Sequence, residues 1–274
     1  MKIMGVGDSV MDAYLHKQML YPGGNSVNVP VLARRYGAQA AAYIGLMGDD
    51  EPGRHFLRVL EEEGLDTRRI RVMHAKTAQN YIRVDETGDR HFVGNNGFDV
   101  AQLTAQLRLR DEDYALMEQY DLIHTSVHSF LDEFLPAIGR RAPLSMDFSD
   151  GYTPQNIERL CPLLRFAFFS GGPKSDDEVE ALAQSALRSG ARTVVITRGM
   201  QGSCVFEQDR KHTQKAVQTN AVDALGAGDA YIAAFLVTYL THDGDMALAA
   251  ESASAFAAQC CLHHGAFGRA LEIG

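Results

Sequence analysis

Short apolar runs alternate with amphipathic stretches along most of this chain, and that rhythm constrains its fold more than any other feature. Residues 2–6, 40–46, 121–125, 144–148, 166–169 and 193–197 read as strands. Residues 26–36, 51–63, 130–138, 154–163 and 176–189 read as the helices between them, and an apolar stretch from Ala230 to Leu240 reads as a buried helix. Such alternation predicts an α/β fold: a mostly parallel central sheet with helices on both faces. Residues 77–97 break the rhythm. Tyr81, Arg83 and Asp85 alternate, Glu86-Thr87-Gly88-Asp89 reads as a turn, and Arg90-His91-Phe92-Val93 continues the pattern as a hairpin. A hairpin budding from an α/β core predicts a small β lid over the strand ends, where such sheets bind ligands. The lid is expected mainly from about 77–97, with about 13–22 as a second contributor, on a single α/β domain spanning 1–274.

Composition excludes several function classes. A net charge of −9 argues against nucleic acid, which needs a basic face, but not against a nucleotide held by a few local groups. No apolar run approaches the ~18 residues of a membrane helix, and Asp8 comes too early for a signal peptide. The cysteines Cys161, Cys204, Cys260 and Cys261 form no C-x-x-C, and the adjacent pair reads as core. A cytoplasmic protein is the expectation, with no membrane partner.

The stretch Asp223-Ala224-Leu225-Gly226-Ala227-Gly228-Asp229 says most about chemistry. Its small residues let the backbone approach a ligand, and the N–H groups opening the next helix form an anion site. Asp229 would repel a bound phosphate, yet it suits the base that takes a proton from a hydroxyl attacking a phosphoryl group. The bland reading is close packing of a Gly-x-Gly turn. A second cluster, Pro22-Gly23-Gly24-Asn25-Ser26-Val27-Asn28, offers two amides suited to sugar hydroxyls, or an Asn-capped helix after a turn. Asp12, just past the first strand, could accept from two hydroxyls. Gly5-Val6-Gly7-Asp8 is half of a dinucleotide fingerprint, but the third glycine is missing; a P-loop is absent too. His124 and His128 straddle a strand end rather than one helix face. His263 and His264 read as capping the last helix, and the run Asp49-Asp50-Glu51 as starting one. Arg198 reads as meeting phosphates or as a solvated surface group.

Gly23-Gly24-Asn25-x-x-Asn28 and Asp223-Ala-x-Gly-Ala-Gly-Asp229 resemble the two signatures of the ribokinase-like (PfkB) carbohydrate kinases. Thr197-Arg198-Gly199-Met200-Gln201-Gly202 resembles the family's T-x-G-x-x-G segment; Gly48-Asp49-Asp50-x-x-Gly53 and Leu60 to Gly64 resemble two further stretches. These motifs cover nearly the whole chain in order. The resemblance implies the ribokinase-like fold, ATP with Mg²⁺ as cofactors, and a sugar substrate. It implies Asp229 as base, with Gly226, Ala227 and Gly228 donating N–H groups to the developing charge. It implies Asp12, Gly23, Gly24, Asn25 and Asn28 around the sugar. Thr197, Gly199 and Gly202 would border the ATP phosphates, while Ala258, on a helix over 249–263, and Gly265 would border adenine. In many relatives the lid also pairs two subunits, so a homodimer stays open. Gly7 to Tyr14, Thr77-Ala78-Gln79 and Asp147-Phe148-Ser149-Asp150 are most similar to fructoselysine 6-kinases, with lid residues Gln79, Arg90, Asn95 and Asn96 expected to set specificity. The segment 170–178 departs from the family: the Asn of its N-x-x-E is missing, so no metal ligand is assigned. A kinase of fructose, ribose, a ketodeoxy acid or a nucleoside, and a non-catalytic sugar or nucleotide sensor, stay open as alternatives.

Overall fold

β1 (Lys2–Gly7), buried from Ile3 onward, lies in the middle of the main sheet of this computed structural model, which describes residues 1–84 and 90–273. The chain then leaves that sheet through the antiparallel pair β2 (Val10–Tyr14) and β3 (Met19–Gly23), and returns by α1 (Asn25–Tyr36), β4 (Ala40–Gly48) and α2 (Glu51–Glu62). Short parallel strands β5 (Leu65–Asp66) and β6 (Arg71–Met73) lie beside β4. The hairpin of β7 (Gln79–Val84) and β8 (Arg90–Asn95) forms as expected, while Asp85 and the turn at Glu86–Asp89 lie outside the described residues. After the short helices α3 (Ala101–Thr104) and α4 (Asp111–Met117) come β9 (Leu122–Ser126), α5 (Leu135–Gly139), β10 (Leu144–Asp147), α6 (Pro154–Leu160), β11 (Phe166–Ser170), α7 (Asp176–Arg188) and β12 (Thr193–Thr197). The chain ends with β13 (Ser203–Glu207), β14 (Arg210–Gln214), α8 (Ala227–Thr241), α9 (Met246–Cys260) and β15 (Leu271–Glu272).

Among the described residues, ten strands form the main sheet in the order β14-β13-β12-β11-β10-β9-β1-β4-β5, with β6 beside β4; only β13 runs against the others, pairing antiparallel with β12 and β14. Alternate residues of each strand feed two cores. Ile3, Tyr43, Phe166 and Phe168 face α1, α8 and α9; Met4, Ile44, Ala167 and Phe169 face α4 to α7. Burial on both faces makes the parallel strands read as continuous apolar runs. The chain proceeds from β1 to β4 on one side and to β9 on the other, so a crevice opens beside β1 at the carboxyl ends of the strands. The second sheet, β15-β3-β2-β7-β8, joins both expected lid segments. The C-terminal β15 pairs with β3, an addition the sequence pattern did not suggest.

Several expected boundaries move for local reasons. The helix expected over 130–138 shrinks to α5. Phe130 adopts φ 54° and closes a 3-10 turn, and Pro136 sits in the first turn of α5, where its missing N–H is harmless. The helix over 154–163 gives way after Leu160 to a 3-10 turn containing Pro162. α9 ends at Cys260, so His263 and His264 lie beyond it and do not cap its carbonyls. Gly24, at φ 103°, occupies the cap position of α1, which therefore has no side-chain cap from asparagine. Asp50 does cap α2, accepting from Gly53 N–H at 3.1 Å.

The half-fingerprint at Gly5 is explained by packing. Pro30 lies inside α1 and has no N–H to give to the carbonyl of Ser26 four residues earlier. A Cβ on Gly5 would overlap that Ser26 oxygen and crowd the Pro30 ring. Gly5 thus lets α1 settle directly on β1, and no helix follows β1 to receive a pyrophosphate.

Candidate active site

Asp229 stands in the first turn of α8, and two amides from the first turn of α1 grip its carboxylate. Asn25 Nδ2 donates to Asp229 Oδ1 at 2.7 Å, and Asn28 Nδ2 donates to Oδ2 at 2.6 Å. Burial pushes the Asp229 carboxyl above its ordinary range, with nearby Asp8 adding to the effect, while the two amides pull it back. Asn28 is buried, and its Oδ1 has no hydrogen-bond partner among the described residues. Such an orphaned acceptor is costly unless a ligand satisfies it.

A cleft of about 1060 Å³ opens here beneath the second sheet. Asp12, Gly24, Asn25, Asn28 and Asp229 line its inner part; Gln79, Asn95 and Phe92 line it from the lid. Asp12 is almost fully buried, and a Cβ on Gly23 would overlap its carboxylate. Asn96 also lines the cleft, but its amide is occupied: it accepts from Gln79 N–H at 2.9 Å and donates to the Thr77 carbonyl at 2.8 Å. The side chain of Arg90 lies outside the described residues.

The turn before α8 has the form of an anion hole. Gly226 adopts φ 79°, and a Cβ there would overlap Ala266. A Cβ on Gly228 would meet nothing within 4 Å. The backbone N–H groups of Gly228 and Asp229 find no acceptor among the described residues. Asp223 anchors the turn from below: it accepts from Leu225 N–H at 2.9 Å, Gly265 N–H at 3.0 Å, and the hydroxyl of Tyr14 in the lid sheet.

Of the residues expected at a nucleotide, Thr197, Gly199 and Gly202 lie at the end of one strand and Ala258 and Gly265 in and after α9, and none of them lines the cleft. Thr197 ends β12, Gly199 (φ 55°) and Gly202 (φ 95°) shape the β12–β13 turn, and Ala258 is half-buried on α9. Gly265 packs against the Tyr21 ring, where any side chain would collide. Arg198 is already paired, with Asp176 at 2.6 Å and the Lys174 carbonyl at 2.6 Å. Two of the three acids of 170–178 are committed to structure: Glu178 accepts from Ser175 N–H at 2.8 Å in a capping box, and Asp176 holds Arg198, while Asp177 is exposed in the first turn of α7. Among the described residues no cluster of three His, Cys, Asp or Glu side chains could hold a metal ion. A Mg²⁺ ion arriving with a nucleotide would lean chiefly on phosphates and water, as that ion prefers.

The roles of three groups escaped the sequence reading. Asp8 Oδ1 accepts hydroxyls from Ser26, Ser126 and Ser129, each at 2.7 Å, which ties the ends of β1 and β9 to α1. Asp147, at the end of β10, accepts from Asn25 Nδ2 at 3.0 Å and from Ser149 N–H at 2.8 Å. Burial pushes its carboxyl up to about 7. His124 is fully buried, with its ring nitrogens 2.8 Å from Asn25 Oδ1 and 3.0 Å from Ser145 Oγ. Burial pushes its imidazole down to about 3, so it is neutral. These partners lie far apart in sequence, and only the fold joins them.

Known proteins resemble this chain in both sequence and fold. Residues 6–154 and 164–271 match the family described as pfkB family carbohydrate kinase. The chain is 39% identical to the fructosamine kinase FrlD of Bacillus subtilis, over 98% of this chain and 93% of that protein. It is 31% identical to the fructoselysine 6-kinase of Escherichia coli, over 96% and 98%. The ribokinase of Arabidopsis thaliana, solved with ribose and ATP, superposes with a TM-score of 0.81 at 17% identity, over 98% of this chain and 94% of that one. The helices of the present chain include none long and apolar enough to cross a membrane, among the described residues.

Proposed function

The chain belongs to the pfkB family of carbohydrate kinases and is a sugar kinase, and from that premise we propose that it uses ATP to phosphorylate a primary hydroxyl of a fructosamine, with the 6-hydroxyl of fructoselysine the leading candidate. The observation that carries the reaction is the carboxylate of Asp229, gripped by Asn25 and Asn28 at the open N-terminus of α8 and facing a cleft. Identity of 39% and 31% to two kinases of sugar–amine adducts supports the substrate class. The cleft, just above the usual range of about 300–1000 Å³, has space for a sugar with a substituent.

In this reading the whole chain works as one ribokinase-like unit whose smaller sheet closes over the sugar. Asp12 accepts from sugar hydroxyls, and the unpaired Oδ1 of Asn28 accepts another. Asp229 takes the proton of the attacking hydroxyl; its raised proton affinity suits that task. The N–H groups of Gly226 and Gly228 face the charge that builds on the transferring phosphoryl; that of Ala227, expected beside them, is instead given to the Ala224 carbonyl at 3.2 Å and so closes the turn. ATP with Mg²⁺ supplies that phosphoryl group, with Thr197, Gly199 and Gly202 beside its phosphates and Ala258 and Gly265 beside its base. Closing the lid would exclude water, so that the sugar and not water is the acceptor.

The purified protein is incubated with ATP, Mg²⁺ and separately with fructoselysine, fructose, ribose, ketodeoxygluconate and adenosine, reading ADP release and product mass. Phosphorylated fructoselysine as the preferred product is expected. Preferred turnover of another acceptor would overturn the substrate assignment, and binding without any turnover would point to a sensor.

A further inference from the structure

Asn25 uses both amide protons and one face of its oxygen on one side of the site. Its two amide protons go to Asp229 Oδ1 at 2.7 Å and Asp147 Oδ2 at 3.0 Å, and its Oδ1 lies 2.8 Å from His124 Nε2. Reversing the amide would aim its oxygen at two carboxylates and its N–H groups at the imidazole, so the network admits one orientation. His124 is neutral and fully enclosed, with Ser145 Oγ 3.0 Å from Nδ1. A neutral ring carries one proton. With the serine hydroxyl donating to Nδ1, that proton sits on Nε2 and is given to Asn25.

We propose that His124 is a positioning residue for phosphoryl transfer: through Ser145–His124–Asn25 it fixes the amide that holds the Asp229 carboxylate in the plane facing the acceptor hydroxyl. This rests on the kinase reading, because it assigns a reason for the base's orientation. With Asn25 on one oxygen and Asn28 on the other, the carboxylate cannot turn about its terminal torsion, and one lone pair stays directed at the cleft. Removing the imidazole donor frees the Asn25 amide to rotate and lets the carboxylate drift. His124 is fully buried and does not line the cleft, so ligand binding should be left alone.

The test is a kinetic double-mutant cycle on the full chain, with Asp229→Asn assayed beside it. His124→Leu is expected to lower kcat by about 10–100-fold while the KM of sugar and of ATP move by less than about 3-fold, the signature of lost orientation rather than lost binding. His124→Gln, whose amide can donate toward Asn25 Oδ1, is expected to recover kcat to within about 5-fold of the parent. The double variant Asn25→Ala/His124→Leu is expected to be no slower than Asn25→Ala alone, because one residue acts through the other. Effects that multiply in the double variant, or an unchanged kcat in His124→Leu, would overturn the proposal. Should His124→Leu fail to fold, Ser145→Ala tests the far end of the chain. It removes the contact that holds the far side of the ring, so that Nε2–H is aimed less firmly at Asn25 Oδ1, and is expected to cost about 3–10-fold in kcat; no change would overturn the proposal. An active Asp229→Asn would instead sink the kinase reading beneath it, so the two failures are distinguishable.

Discussion

Two glycines of one turn should respond in opposite ways to the same added methyl group. Gly228 is the second residue of α8, and its Cβ would meet open space. Alanine is the better helix former, by about 0.5–1 kcal/mol in an interior and nearer 0.5 in a first turn. Unfolding entropy of about 2.1 cal/mol/K per residue over 274 residues makes each kcal/mol worth about 2 °C. Gly228→Ala should therefore leave Tm unchanged or raise it by about 1 °C. If the open space beside Gly228 is where the phosphoryl group sits, the same methyl should cost about 10²-fold in kcat. Gly226→Ala should behave otherwise: φ 79° costs an L-residue about 1–2 kcal/mol, and the overlap with Ala266 adds about 1–3. Its Tm should fall by about 4–9 °C. Scanning calorimetry and ADP release on both variants settle the matter. A Gly228→Ala enzyme with kcat within about 3-fold of the parent would refute the anion hole and leave the turn a packing device.

Three further outcomes follow from the geometry. Asp12→Ala should raise the sugar KM about 10-fold or more with the ATP KM unchanged, and an unaltered sugar KM would remove Asp12 from the sugar site. Asp50 Oδ1 accepts from Gly53 N–H and Thr77 Oγ1 (2.6 Å) and its Oδ2 from Thr77 N–H (2.9 Å), which clamps the entry to the lid; Asp50→Ala should cost about 3 kcal/mol, or about 5 °C, against about 1 kcal/mol for Thr77→Val, read by thermal denaturation. The Asp147 carboxyl, pushed up to about 7 by burial, should titrate near 7 by carbon NMR. Because the folded protein holds that proton above the unfolded value of about 3.9, its stability contribution is full below about pH 4 and is lost as pH rises through 7; a midpoint near 4 would contradict this.

Much of this architecture was legible from local pattern. Strands of a parallel sheet buried on both faces show as plain apolar runs, and α8 announces itself by a glycine turn running into a stretch that is buried from Ala230 to Thr238. The lid hairpin was legible from alternation. What failed was governed by single residues or by distance. Phe130 in a left-handed conformation and Pro136 shortened α5, and the two-residue β15 had too little sequence to show. Asp229, Asn25 and Asn28 could be singled out from motifs, and the fold brings them within hydrogen-bonding distance. His124 could not. Its partner Asn25 is 99 residues away, and the local pattern showed only that it and His128 straddle a strand end. The serines around Asp8 and the fit of Gly5 to the carbonyl freed by Pro30 are likewise products of packing between elements.

The central claim, that Asp229 is the base of an ATP-dependent sugar kinase, is tested most directly by single-turnover phosphoryl transfer in Asp229→Asn. The account predicts a rate lower by about 10²–10⁴-fold with ATP affinity within about 3-fold of the parent. Transfer at a near-normal rate would contradict it.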